Sequence, residues 1–157
     1  MADQGRRAQF RRADHVLLCR DGEHPSNGRG HARGWVTNAS ANLDANGQAF
    51  DGAKTYRLRV PANVPVKDFW SVVLYDTQTR SMLQTDQRFP SLSSRTKPKT
   101  NPDGSVDVYF SPKRPANADN WVQTVPGKSW FTIFRLYGPL QPWFDKTWKL
   151  PDIQRVG

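Results

Sequence analysis

The chain has 157 residues, a length that suits one domain with a core of its own and no need of metal or disulfide staples. Its formal net charge is +9, which bears on solubility and on association with anions rather than on fold. Cys19 is the only cysteine, so an intrachain disulfide is excluded, and no apolar run is long enough to span a membrane.

Residues 1–34 differ from the rest of the chain. They hold seven Arg, no Lys, all three His (His15, His24 and His31) and a single aromatic, Phe10. Such a segment offers too little apolar surface to offset its ordering entropy, and it reads as a disordered basic arm outside the domain. Arg6, Arg7, Arg11 and Arg12 would suit phosphates if the arm met nucleic acid. The His residues and Cys19 follow no zinc spacing, so no metal site is expected. Val16 to Cys19 is too short for a signal-peptide core, and acids interrupt the basic stretch where a transit peptide has none. The compartment stays open.

The ordered domain is expected over residues 35–157. Asp44-Ala45-Asn46-Gly47 contains Asn-Gly, a hairpin signal that requires positive φ at both central residues. Thr55 to Val60 alternates, with Tyr56, Leu58 and Val60 inward, as a half-buried strand does. Phe69 to Asp76 is the longest apolar run and is apolar on both faces, which places it inside a sheet. Arg80 to Thr85 reads as a weak strand with Met82 and Leu83 inward, and residues 86–104 as one long polar loop closed by the Asp103-Gly104 turn. Ser105 to Phe110 is another strand. Pro112 and Pro115 mark a connection leading to a short strand at Asn120–Val125. Trp130 to Tyr137 is the second strand apolar on both faces, and Pro142 to Lys149 a helical turn or two. Trp70 and Trp130 are assigned to the core, whereas Trp121, Trp143 and Trp148 lie near turns and are freer to meet a partner. With short strands, frequent turns and no crossover helix, the fold class is an all-β sandwich or barrel.

A series of motifs then fits together: Asp44-x-x-Gly47, Asp51-Gly52, Tyr56-x-Leu58, Phe69-Trp70-Ser71, Leu74-Tyr75-Asp76, Asn101-x-Asp103-Gly104-Ser105-Val106, Asn120-Trp121, Arg135-Leu136-Tyr137-Gly138-Pro139 and Trp148. Over about residues 40–156 this order resembles the domain of unknown function 1214 family. The resemblance implies a jelly-roll-like antiparallel β-sandwich of bacterial origin with a short C-terminal helical turn. It also implies a position behind a domain of unknown function 1254 in longer proteins. It implies no activity. Residues 1–34 do not match such a larger protein, so the chain is read as a domain truncated from it.

For chemistry, residues 35–157 hold no His and no Cys, which removes a Ser-His-Asp triad unless the arm supplies the base. Ser71 lacks a G-x-S-x-G elbow, and the Asp residues sit mainly in turns. No catalytic residue, cofactor or metal is assigned. The ligand-binding candidates are Arg135, Tyr137, Tyr75, Trp121 and Asn120. Arg135 stands among apolar neighbours, where a guanidinium needs an internal partner such as Asp or an anion to clamp. The first function hypothesis is a non-catalytic binding or scaffolding module. Its partner is the missing N-terminal domain or a second copy meeting an apolar face, with a small-molecule or glycan ligand as a further option. The second is part of a hydrolase or lyase acting on carbohydrate or lipid, and the third a nucleic-acid binder. If the arm lies outside the domain, deleting residues 1–34 will lower the melting temperature by no more than a few degrees, or roughly 1 kcal/mol.

Overall fold

Two long strands organise the larger sheet. Val66–Asp76 (β6) and Ser129–Pro139 (β10) run antiparallel, in register from Asp76 opposite Trp130 to Phe69 opposite Tyr137. The computed structural model describes residues 36–157 in full, together with the backbone of Arg11–Arg12, Leu17–Leu18 and Trp35. The larger sheet has the order β1-β3-β10-β6-β7, in which Arg11–Arg12 is β1, Trp35–Ala41 is β3 and Ser91–Ser93 is β7. Leu17–Leu18 (β2) also pairs with β3, and Phe50–Asp51 (β4) with β10. The smaller sheet has the order β11-β5-β8-β9, formed by Gln154–Arg155, Tyr56–Val60, Val106–Ser111 and Trp121–Gln123. The chain is thus an all-β, two-sheet sandwich. Apart from the four residues of β1 and β2, the reading of residues 1–34 as an arm falls outside the described residues.

The twofold strand period sorts the side chains. Trp70, Val72 and Leu74 of β6 and Trp130, Phe134 and Leu136 of β10 point between the sheets and are buried. Tyr56, Leu58 and Val60 of β5 and Val106, Val108 and Phe110 of β8 meet them from the other side. At one end the Phe50 and Trp130 rings stack at 4.2 Å, with Tyr56 edge-on at 5.2 and 5.5 Å. The Tyr56 hydroxyl accepts a hydrogen bond from the Asp51 amide at 3.0 Å. On this face the Thr132 hydroxyl donates to the Val73 carbonyl at 3.0 Å, while the buried Trp130 indole N–H has no hydrogen-bond partner. Gly52 closes the same end. A Cβ there would lie 1.9 Å from the Val125 carbonyl oxygen, so no side chain fits.

Five expectations change in detail. In the first turn Gly47 has φ of 79° but Asn46 does not adopt positive φ. The Asp44 carboxylate accepts the amides of Asn46 and Gln48 at 2.9 and 3.0 Å, so a side chain nucleates the turn and a primed two-residue hairpin is not needed. Of the Met82 and Leu83 pair only Leu83 is inward; Met82 is 42% exposed. The long polar loop contains β7 and a 3-10 turn, Ser94–Thr96, capped by the Ser93 hydroxyl. Strands β8 and β9 run parallel, because the proline-bearing connection between them carries the chain back across the sheet before β9 begins. Trp143 and Trp148 are buried, not free. The Trp148 indole N–H donates to the Ala62 carbonyl at 3.1 Å, and its ring lies 6.1 Å from Phe134. The helical turn Gln141–Phe144 (α1) and the segment behind it therefore close the end of the core.

Trp70 belongs to the inner face, so Trp70→Ala should cost about 3–5 kcal/mol in chemical denaturation. Phe144→Ala, at a position 51% exposed, should stay within about 0.5 kcal/mol of the parent.

Candidate functional site

The other face of the larger sheet follows from the same alternation. Phe69, Ser71, Val73 and Tyr75 of β6 lie beside Tyr137, Arg135, Ile133 and Phe131 of β10, with Val36, Asn38 and Ser40 next to them on β3. The second sheet and the Trp143–Ile153 segment both pack on the opposite side. Cross-strand neighbours pair their rings: Phe69 on Tyr137 at 4.0 Å and Tyr75 on Phe131 at 5.3 Å, both stacked. Arg95 places its guanidinium 3.9 Å from the Phe69 ring centre and Arg80 5.4 Å from that of Phe131.

Arg135 sits in the middle of this face, opposite Ser71 on one side and Asn38 on the other. Its Nη2 donates to the Tyr75 hydroxyl at 2.7 Å. Its Nε is buried without a hydrogen-bond partner, and so is Oδ1 of the neighbouring Asn38. The internal ion pair anticipated for Arg135 is not formed; the ion pairs of the described residues are Lys54–Asp51, Arg59–Asp107, Lys99–Asp119 and Lys128–Asp76. None of the described strand residues on this face is acidic. The result is an apolar, aromatic face with three guanidinium groups and one unmet donor, on which Val36, Ser71, Val73 and Phe131 are buried and Phe69, Tyr75, Ile133, Arg135 and Tyr137 half-buried.

Arg135, Tyr75 and Tyr137 thus share one face, while Asn120 and Trp121 lie in the smaller sheet. Asn120 is buried and fully engaged. It donates to the carbonyls of Lys99 and Asp107 at 2.8 and 3.0 Å and accepts the Lys99 amide at 2.9 Å, which fastens the preceding loop to β8. The Trp121 indole donates to the Ser111 carbonyl at 3.0 Å. Alternation alone puts Phe131 on the Arg135 face of its strand and Phe69 on the Tyr75 face of the other, but Phe69, Phe131 and Asn38 are not among the binding candidates named from the sequence. Arg80 and Arg95 carry no such signal, since only the folded loops bring them there.

The carboxylates serve turns and cross-strand ties. Asp76 accepts the Gln78 amide at 2.8 Å and the Lys128 ammonium at 3.1 Å, which hold its carboxyl below the ordinary range. Asp103 is lowered by the Ser105 hydroxyl at 2.6 Å and the Ser105 amide at 3.0 Å. Asp107 is lowered chiefly by Arg59 at 2.9 Å, against the opposing effect of burial. Among the described residues no three His, Cys, Asp or Glu side chains gather as a metal site would require. No helix there is long and apolar enough to cross a membrane.

The fold and this face define a β-sandwich domain with a basic, aromatic flank. The chain belongs to the DUF1214 family, described as proteins of unknown function, whose profile matches residues 36–141. The crystal structure of the VPA0106 protein from Vibrio parahaemolyticus is similar to it, with 30% identity and a TM-score of 0.67 over 78% of this chain. The match covers 31% of that protein, so the present chain corresponds to about a third of its length. An uncharacterised protein from Burkholderia cenocepacia aligns at 20% identity and a TM-score of 0.47, over 82% of this chain and 31% of its own. Among curated proteins none matches the chain.

The lowered carboxyls set a pH dependence. A carboxyl held below its unfolded value, which is about 4, stabilises the fold above that value and loses its contribution as pH falls through the lowered one. Asp76, Asp103 and Asp107 all act in this sense. The melting temperature should therefore be flat from about pH 7 to 5 and fall below about pH 4, and Asp107→Asn should shrink that fall.

Proposed function

We propose that this jelly-roll-like sandwich is a non-catalytic docking module, one domain of a larger two-domain assembly. Its outer face receives the surface of a partner domain that is apolar and bears carboxylates. The observation that carries this reading is the composition of that face: two stacked aromatic pairs and Arg80, Arg95 and Arg135, with no acidic residue on its described strands. A mixed apolar and charged patch of this kind is what interfaces use for area and for orientation. A guanidinium on such a face suits a carboxylate, which it can engage with more than one N–H. The Vibrio relative, about three times the length of its matched part, is the natural source of such a surface.

Charge argues against a second copy as the occupant, because a symmetric pairing of this face would set like guanidinium groups together. Ring geometry argues against nucleic acid. Bases stack on free aromatic faces, whereas Phe69 and Phe131 each have another ring on one side and a guanidinium on the other.

The test supplies the unmatched portion of the Vibrio protein in trans and follows complex formation by sedimentation. A salt-sensitive complex is expected, weakened at least about tenfold by Ile133→Asp and about threefold to tenfold by Arg135→Gln. Absence of a complex, or one indifferent to both substitutions, would reject the reading. So would tight binding of a random single-stranded oligonucleotide at physiological salt, which would favour the nucleic-acid alternative.

A further inference from the structure

A second feature lies away from that face, at the end of the sandwich where β5 stops and β6 and β8 begin. A cleft of about 330 Å³ opens between the sheets there. Val60, Val66, Trp70 and Val106 reach its floor from the core, while polar atoms make up almost half of the open lining. Its rim is polar and is built by the loops, with Lys97 and Thr100 on one side and Asn63 on the other. Lys97 is the only ionisable residue in the lining and forms no ion pair among the described residues.

The backbone at the rim is unusual. Four non-glycine described residues have positive φ, and two of them, Asn63 at 57° and Lys97 at 52°, border this cleft. Asn is a residue type that tolerates this conformation, and Lys97 adopts it as the C-cap of the Ser94–Thr96 turn, its amide donating to the Ser94 carbonyl. The loop is also fixed. Ser94 Oγ accepts the Trp70 amide at 3.2 Å, and Asn120 clamps both backbone groups of Lys99. The rim is therefore a preformed support, as small-molecule sites commonly have.

We infer that the cleft binds a small amphipathic monocarboxylate, its apolar body against Trp70 and Val106 and its carboxylate at Lys97 and the Thr100 hydroxyl. The chemistry selects this class. The valine and tryptophan floor suits a hydrocarbon body, and the polar rim a single polar head group. A single cation on the polar rim matches one negative head group. The volume admits a body of about ten non-hydrogen atoms, at the small end of ligand sites.

The probe is octanoate, titrated into the full chain and followed by amide NMR, with 1-octanol as the uncharged counterpart. Saturable shifts are expected at Trp70 and Val106, with 1-octanol binding more weakly. Lys97→Gln should weaken octanoate about threefold to tenfold and leave 1-octanol unchanged. Thr100→Trp, at an exposed rim position, should block both ligands while the rest of the spectrum keeps the parent pattern. No saturable shift by about 10 mM octanoate would overturn the inference. Shifts located elsewhere, or equal binding of the acid and the alcohol, would overturn it as well.

Discussion

The structure depends on the pairing of β6 with β10. Each strand is apolar on both sides, so together they form a slab with two faces to satisfy. One is met within the chain by β5, β8 and the Trp143–Ile153 segment. Meeting it places Arg135 and its aromatic neighbours on the other face, because side chains in a strand must alternate. A register slip of one residue would move Phe134 and Leu136 outward and Arg135 into the core, where a guanidinium without a partner cannot be accommodated. The composition of the inner face thus fixes the position of the outer site.

Much of this can be read from residue order. Phe69–Asp76 and Trp130–Tyr137 announce central strands by being apolar at every position parity, and Tyr56, Leu58 and Val60 announce a half-buried one. The places where reading fails share a cause: a distant or competing partner decides the outcome. Asn46-Gly47 has the local chemistry of a tight hairpin, but the Asp44 carboxylate captures two amides and sets another turn. Trp143 and Trp148 sit among prolines near the chain end, and nothing local shows that the core end is open to receive them. Ser91–Ser93 has the composition of a loop and becomes a strand only because β6 offers an unpaired edge.

The candidate site was legible in part for the same reason. Arg135 stands out on a strand of apolar residues, and Tyr75 and Tyr137 share its parity once the two strands are aligned. Asn120 and Trp121 stand out equally in the sequence, yet their polar atoms bond backbone carbonyls in the smaller sheet. A polar residue beside apolar ones marks a buried hydrogen bond as readily as a ligand contact, and only its partner separates the two.

The larger sheet also determines when the protein can fold. β10 lies between β3 and β6, and its bond partners are far away in sequence: Thr132 meets Val73 across 59 positions. During synthesis β3 and β6 emerge long before the strand that joins them. Until then the edge of β6 that β10 pairs in the finished sheet stays open. Non-local pairing of this kind makes folding slow, on the millisecond-to-second scale of β-sandwiches. Completion of β10 is thus the step that ends exposure of the nascent chain. A ribosome pause before β10 has emerged would prolong the aggregation-prone interval.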